Sequence, residues 1–203
     1  METHSAAIPE LLAEIRQIAS QAPSLRDLQQ AIAEAIARRL PYCNWTGFYM
    51  IDPADPHTLV VGPYVGDPTP HVRIPLNEGI CGAAAASGET VVVDDVNADP
   101  RYLSCSISTR SEIVVPIRAH GAVVGEIDID SHSPAAFSQA DRNFLEEVAR
   151  IVRSMDRAGR SVHLNQKGKP MRLRTFAALL ATAIMLIAYP AANAPSRFRR
   201  AEW

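Results

Sequence analysis

The sequence predicts an α+β domain. Two apolar stripes at helical spacing open the chain, a run of short β-rich segments follows with one small-residue helix inserted, and an amphipathic helix closes the run. The strands do not alternate regularly with helices, which favours a layered α+β sandwich over a doubly wound sheet. Ile8, Leu11, Leu12, Ile15 and Ile18 mark the first helix. Ser24 is placed to cap the second, whose stripe is Leu25, Leu28, Ile32, Ile36 and Leu40, and Pro41 stops it. Strands are expected at 45–51, 59–61, 72–74 and 91–93, separated by Pro, Gly and Asp turns. Residues 79–82 open a small-residue helix that continues through 83–87 and ends at Gly88. Residues 94–111 read as a polar loop, and 112–117 and 122–130 as strands around a turn at His120-Gly121. Ser138 then caps a last helix through Met155, with Phe144, Leu145, Val148, Ile151 and Val152 facing inward.

The chain has 203 residues, 47% hydrophobic and 21% charged, which excludes a disordered tail, a fibre and a polytopic membrane protein. The length suits one domain with extra segments, divided as an N-terminal helix over 1–24, a main domain over 25–158 and a tail over 159–203. Residues 166–203 hold seven basic groups and one acid; residues 1–165 hold thirteen basic and 21 acidic, so the body carries −8 and the tail +6. An acidic body argues against nucleic acid as a partner. Cys43, Cys81 and Cys105 are too few for a disulfide scaffold, and charges run through residues 1–20, so the body is expected to be cytoplasmic with reduced thiols. In the tail, 176–189 is apolar apart from Thr182 and is preceded by Met171-Arg172-Leu173-Arg174 and followed by Ala192-Asn193-Ala194. Three readings fit it: a tail anchor, a signal-like segment fused from a neighbouring frame, and a helix docked on the domain.

Three features bear on chemistry. Glu126, Asp128 and Asp130 alternate along one strand and so share a face, with Ile127 and Ile129 on the other; Glu112 is placed to converge from the neighbouring strand. Such a face repels itself unless a cation meets it, and it suits a ligand ammonium group, although an exposed strand face explains the same alternation. Cys105 sits in a polar loop with Arg101 and Arg110 nearby, which favours its thiolate. Cys81 lies near a helix N-terminus, whose dipole acts in the same direction, but it also reads as a small buried residue; Cys43 reads as core. Trp45 and Tyr49 share a strand face, as core or as a wall for a sulfur group. His57, His71, His120, His132 and His163 show no ligand spacing, there is no CxxC, and no phosphate loop appears, so neither metal nor cofactor is expected.

The order Asn44-Trp45-x-Gly47-Phe48-Tyr49, Leu59-Val60-Val61-Gly62-Pro63-Tyr64, Val72-Arg73-Ile74-Pro75, Gly79-Ile80-Cys81-Gly82, Ser111-Glu112-Ile113-Val114-Val115-Pro116 and Gly125-Glu126-Ile127-Asp128-Ile129-Asp130-Ser131 resembles the GAF-domain free methionine-(R)-sulfoxide reductases, over about residues 25–155. The resemblance implies a central antiparallel sheet of about five or six strands, terminal helices on one face and a ligand pocket on the other. It implies Cys105 as the nucleophile on the sulfoxide sulfur, and Trp45, Tyr49, Glu112, Asp128 and Asp130 as the substrate pocket. It further implies a sulfenic acid on Cys105, a second thiol that condenses with it, and a thioredoxin-type or small-thiol reductant. GAF relatives often pair through their terminal helices, which extends to this chain as an expected homodimer. The chain departs from the family at His71, where the family usually carries its recycling cysteine. Three outcomes are then open: Cys81 resolves Cys105, an external thiol reduces the sulfenic acid directly, or the domain binds a small molecule as a sensor without turnover.

Overall fold

The computed structural model describes residues 2–104 and 106–162, with side chains over 7–104 and 106–155. Cys105 and residues 163–203, which include the apolar segment 176–189, lie outside the described residues. Helices α1 (Glu2–Gln21) and α2 (Leu25–Arg39) are followed by strands β1 (Trp45–Asp52), β2 (Asp55–Val65) and β3 (Arg73–Pro75), helix α3 (Gly79–Ser87), strands β4 (Val91–Val93), β5 (Ser111–Ala119) and β6 (Ala122–Ser131), and helix α4 (Gln139–Val162). The six strands form one sheet in the order β3-β2-β1-β6-β5-β4, with every neighbouring pair antiparallel.

Strand alternation divides the core between the two faces. Phe48, Ile113, Val115, Ile117, Ile127 and Ile129 point to one face and pack against Leu11 and Ile15 of α1, Ile32 and Ile36 of α2, and Leu145 and Val148 of α4. The opposite face carries Trp45, Tyr49, Leu59 and Val114, covered by Ile80, Cys81 and Ala84 of α3. Ser24 accepts from the backbone N–H of Asp27 and so caps α2, as its sequence position indicated. Gly88, at φ 69°, ends α3 in the left-handed conformation. Exposed ion pairs Arg39–Glu10 and Arg16–Glu147 join α1 to its neighbours, but at the surface they add little to what the shared core supplies.

Two observed elements run longer than the sequence indicates, and one short turn is added. β2 spans Asp55–Val65, not only 59–61, although Gly62-Pro63 reads as a turn. The pairing explains it: Gly47 faces Tyr64 while Tyr49 faces Val61, so β2 carries one extra residue there, and the bulge accommodates the proline. A short 3₁₀ turn, Val96–Ala98, interrupts the expected loop, with Asp95 accepting from the N–H of Asn97. The last helix continues past Met155 to Val162. Among the described residues no helix is long and apolar enough to cross a membrane.

Phe48 is fully buried at the middle of the sheet, under the helices. Phe48→Ala is expected to lower unfolding free energy by about 3–5 kcal/mol in urea titration. Ile107, fully exposed, is the control: Ile107→Ala is expected to change it by less than about 0.5 kcal/mol.

Candidate active site

The α3-facing side of β1, β5 and β6 brings the acids and rings together. Across β1 and β6, Trp45 is paired with Asp130, Gly47 with Asp128 and Tyr49 with Glu126; across β5 and β6, Glu112 is paired with Asp130 and Val114 with Asp128. One face of three adjacent strands therefore presents Trp45, Tyr49, Glu112, Glu126, Asp128 and Asp130 side by side. All are buried: the four acids are 0–5% exposed, Tyr49 is 1% and Trp45 is 8%. The exposed-face reading of the alternation is thereby excluded.

The aromatic wall has a third member. Trp45 stacks on Tyr64, with ring centroids 5.2 Å apart, and on Tyr49 at 6.2 Å. Gly47 makes this stack possible, because a Cβ there would lie 2.5 Å from Trp45 Cη2 and 2.6 Å from Tyr64 Cβ. The Trp45 Nε1–H donates to the Asp67 carbonyl at 3.1 Å, and the Tyr49 hydroxyl donates to the His71 carbonyl at 2.9 Å. Tyr64 was not singled out from sequence, since only the β1–β2 register places it beside Gly47.

The acids lack the partners that buried carboxylates ordinarily have. Among the described residues, both oxygens of Glu126 and Oδ1 of Asp128 are buried with no hydrogen-bond partner within ordinary reach. Burial, with the Asp128 carboxylate next, holds Glu112 and Glu126 well above the usual range, and Asp130 likewise. Asp128 is pushed up to about 7, chiefly by burial. Glu126, noted in the alternation but not among the expected pocket residues, belongs to the same cluster.

Cys81 reaches this cluster from the first turn of α3. Its thiol lies 3.9 Å from Glu112 Oε1 and is 6% exposed. The dipole at the start of α3 does not decide its acidity: burial first, then Asp128, Glu126 and Glu112, push the thiol well above its ordinary value. Of the two readings open for Cys81, the small buried residue holds, and a thiolate favoured by the helix dipole does not. Cys43 is buried in the helix-side core, on the other face of the sheet, where burial also raises its thiol.

Cys105 lies outside the described residues, but its neighbours are placed. The His71 Nε2–H donates to the Ser104 carbonyl at 3.1 Å, since a carbonyl only accepts. Leu103 packs on the start of α3, where a Cβ on Gly79 would meet Leu103 Cδ1 at 2.8 Å; Gly79 also sits at φ +74°. Ser106 lines a cavity of about 120 Å³ together with Trp45, Asp67, Thr69, Thr109 and Asp130. Arg101 is committed to Asp99, donating through Nε at 2.9 Å and Nη2 at 2.6 Å. A larger cavity of about 310 Å³ between β5 and α4 is lined by Arg118, Glu146 and Arg150 and has neither a thiol nor an aromatic ring. The acid-and-ring cluster is the candidate site, because it combines buried carboxyls, a thiol and aromatic rings.

Comparison with known proteins bears on the family and the fold. The GAF domain family matches residues 24–154. Protein YtsP of Bacillus subtilis is 44% identical over 113 residues, 56% of this chain and 68% of that protein. The free methionine-R-sulfoxide reductase of Saccharomyces cerevisiae is 40% identical over 110 residues, 54% of this chain and 61% of that protein, so less than two thirds of its length is spanned. The X-ray structure of free methionine-R-sulfoxide reductase from Neisseria meningitidis, in complex with its substrate, superposes with a TM-score of 0.74 at 34% identity, covering 78% of this chain and 93% of that one. The chain belongs to the GAF domain family, in the group that includes the free methionine-R-sulfoxide reductases.

The raised carboxyls give stability a defined pH dependence. Below about pH 4 they are protonated whether the chain is folded or not. As the pH rises, the unfolded chain ionises first, so folding stability is lost up to the raised folded values. The ligand-free protein is therefore expected to melt at a lower temperature at pH 8 than at pH 5.5, in scanning calorimetry. Glu126→Gln is expected to raise the melting temperature more at pH 8 than at pH 5.5; an equal effect at both would mean that ionisation of Glu126 does not matter.

Proposed function

We propose that this chain reduces free L-methionine (R)-S-oxide to methionine, with Cys105 as the nucleophile. The observation that carries the reading is the buried face of carboxylates without partners, set against a three-ring wall beside the loop that bears Cys105. A free amino acid has an ammonium group that a peptide-bound methionine lacks, and Glu112, Asp128 and Asp130 are the groups to receive it. Trp45 and Tyr49 receive the sulfur end, since sulfur packs favourably on aromatic rings. The relatives named as free methionine-R-sulfoxide reductases support the same substrate.

The reaction balances with thiols alone. The Cys105 thiolate attacks the sulfoxide sulfur while a carboxyl that the crowded cluster keeps protonated delivers a proton to the oxygen. Oxygen passes to Cys105 as a sulfenic acid, and methionine leaves. A second thiol condenses with the sulfenic acid, releasing water and forming a disulfide, and two thiols of a thioredoxin-type or small-molecule donor return both cysteines to the reduced state. His71 occupies the place where the family resemblance leads one to expect a recycling thiol. Among the described residues, Cys81 is the cysteine on the pocket face, since Cys43 lies beyond the sheet. We assign Cys81 as the resolving thiol.

The test is turnover of racemic free methionine sulfoxide with thioredoxin and its reductase, or with dithiothreitol. The R epimer alone is expected to disappear, and Cys105→Ser is expected to abolish the loss. Persistence of both epimers under either reductant would contradict the reading. Asp128→Asn is expected to lower kcat/KM by about 10²-fold or more, the cost of a lost charged contact of roughly 3 kcal/mol. Cys81→Ser is expected to slow thioredoxin-driven cycling more than the first turnover; equal loss in both would remove Cys81 from the recycling step.

A further inference from the structure

We propose that Cys81, Glu112 and Asp128 form a binding site for a thiophilic divalent cation of the zinc and cadmium class. The Cys81 Sγ and one carboxylate oxygen from each acid all lie within 4.8 Å of one another. Donors around a tetrahedral ion, at bond lengths of about 2.1 Å to oxygen and 2.3 Å to sulfur, stand roughly 3.4–3.7 Å apart. Closing the set to that spacing asks for donor shifts of roughly an ångström. The three donors come from three packed elements, α3, β5 and β6, and are 6%, 5% and 3% exposed.

A cluster of acids alone would not specify a cation site; two further observations do. Among the described residues, Asp128 Oδ1 and both oxygens of Glu126 are fully buried without a hydrogen-bond partner, so the cluster holds acceptor capacity that the described side chains leave open apart from the nearby Cys81 thiol. The third donor is a thiol, which an ammonium group does not need but which a soft or borderline cation selects. The same thiol disfavours magnesium and calcium, which require six or more oxygens or retained waters. Three protein donors leave the fourth tetrahedral position for a water or a ligand atom, with the buried Glu126 carboxyl in the same cluster. Binding exchanges protons for the ion: the Cys81 thiol and any protonated carboxyl among the donors release theirs as the bonds to the cation form. The ion and the substrate ammonium would share acids, so occupation by one excludes the other. The site itself stands whether or not the chain turns over a sulfoxide.

Cadmium alone is the probe, titrated into full-length protein carrying Cys105→Ser so that the loop thiol cannot report. One equivalent is expected to produce the near-ultraviolet thiolate-to-cadmium absorption, with protons released in proportion. Adding Cys81→Ser is expected to abolish the band, and Glu112→Gln or Asp128→Asn to weaken binding about tenfold or more. A hundredfold excess of magnesium is expected to leave the band unchanged. Absence of a saturable band, its survival in Cys81→Ser, or indifference to both carboxylate changes would overturn the site. Should Cys81→Ser fail to fold, the ¹¹³Cd NMR shift of the Cys105→Ser protein decides instead. A single sulfur among oxygen donors is expected, and a sulfur-free or multi-sulfur signature overturns the proposal.

Discussion

The structure turns on four carboxylates, Glu112, Glu126, Asp128 and Asp130, buried on one face of a sheet with too few partners. Ionised carboxylates taken out of water lose hydration worth several kcal/mol each unless a counter-charge or a set of donors replaces it. Here Arg101 is held by Asp99, and the thiol of Cys81 supplies a long contact to Glu112. The cluster therefore stays protonated or waits for a cation. Either condition suits the proposed function, in which the acids receive an ammonium group and one of them delivers a proton.

The rest of the fold sustains that cost. Phe48, Ile127 and Ile129 alternate with the acids and rings along the same strands, so each polar residue on one face is backed by an apolar one on the other. Three helices bury that apolar face, which is where most of the stabilisation arises. α3 and the segment around Leu103 close the acid face from above, and the close approach at Gly79 is what lets them sit so near. The separation is economical: stability resides in the helix layer, and the functional groups sit on strands held rigid by it.

Much of this was legible in the sequence because it follows from periodicity. The alternation of Glu126, Asp128 and Asp130 with isoleucines, and the spacing of Trp45 and Tyr49, fix which residues share a face before any pairing is known. Ser24 and Gly88 mark helix ends by their chemistry alone. What could not be read depends on register and on three-dimensional cover. Tyr64 joins the aromatic wall only through a bulge at Gly62-Pro63 that looks like a turn. Cys81 reads from sequence as a small buried residue, which it is, but a helix N-terminus is visible in a sequence whereas the three carboxylates beside the thiol are not. The same lack of cover information left the acidic strand face equally readable as a solvated edge.

The most direct measurement of the central claim is calorimetric binding to the Cys105→Ser protein, comparing free methionine (R)-sulfoxide with its N-acetyl derivative. The two differ in the charge on nitrogen while keeping the sulfoxide and the side chain. If the buried acids are the recognition element, the free amino acid binds and the acetylated one does not bind measurably. Equal affinity for the two would mean that the carboxylates do not receive an ammonium group, and the account of the site would fail with them.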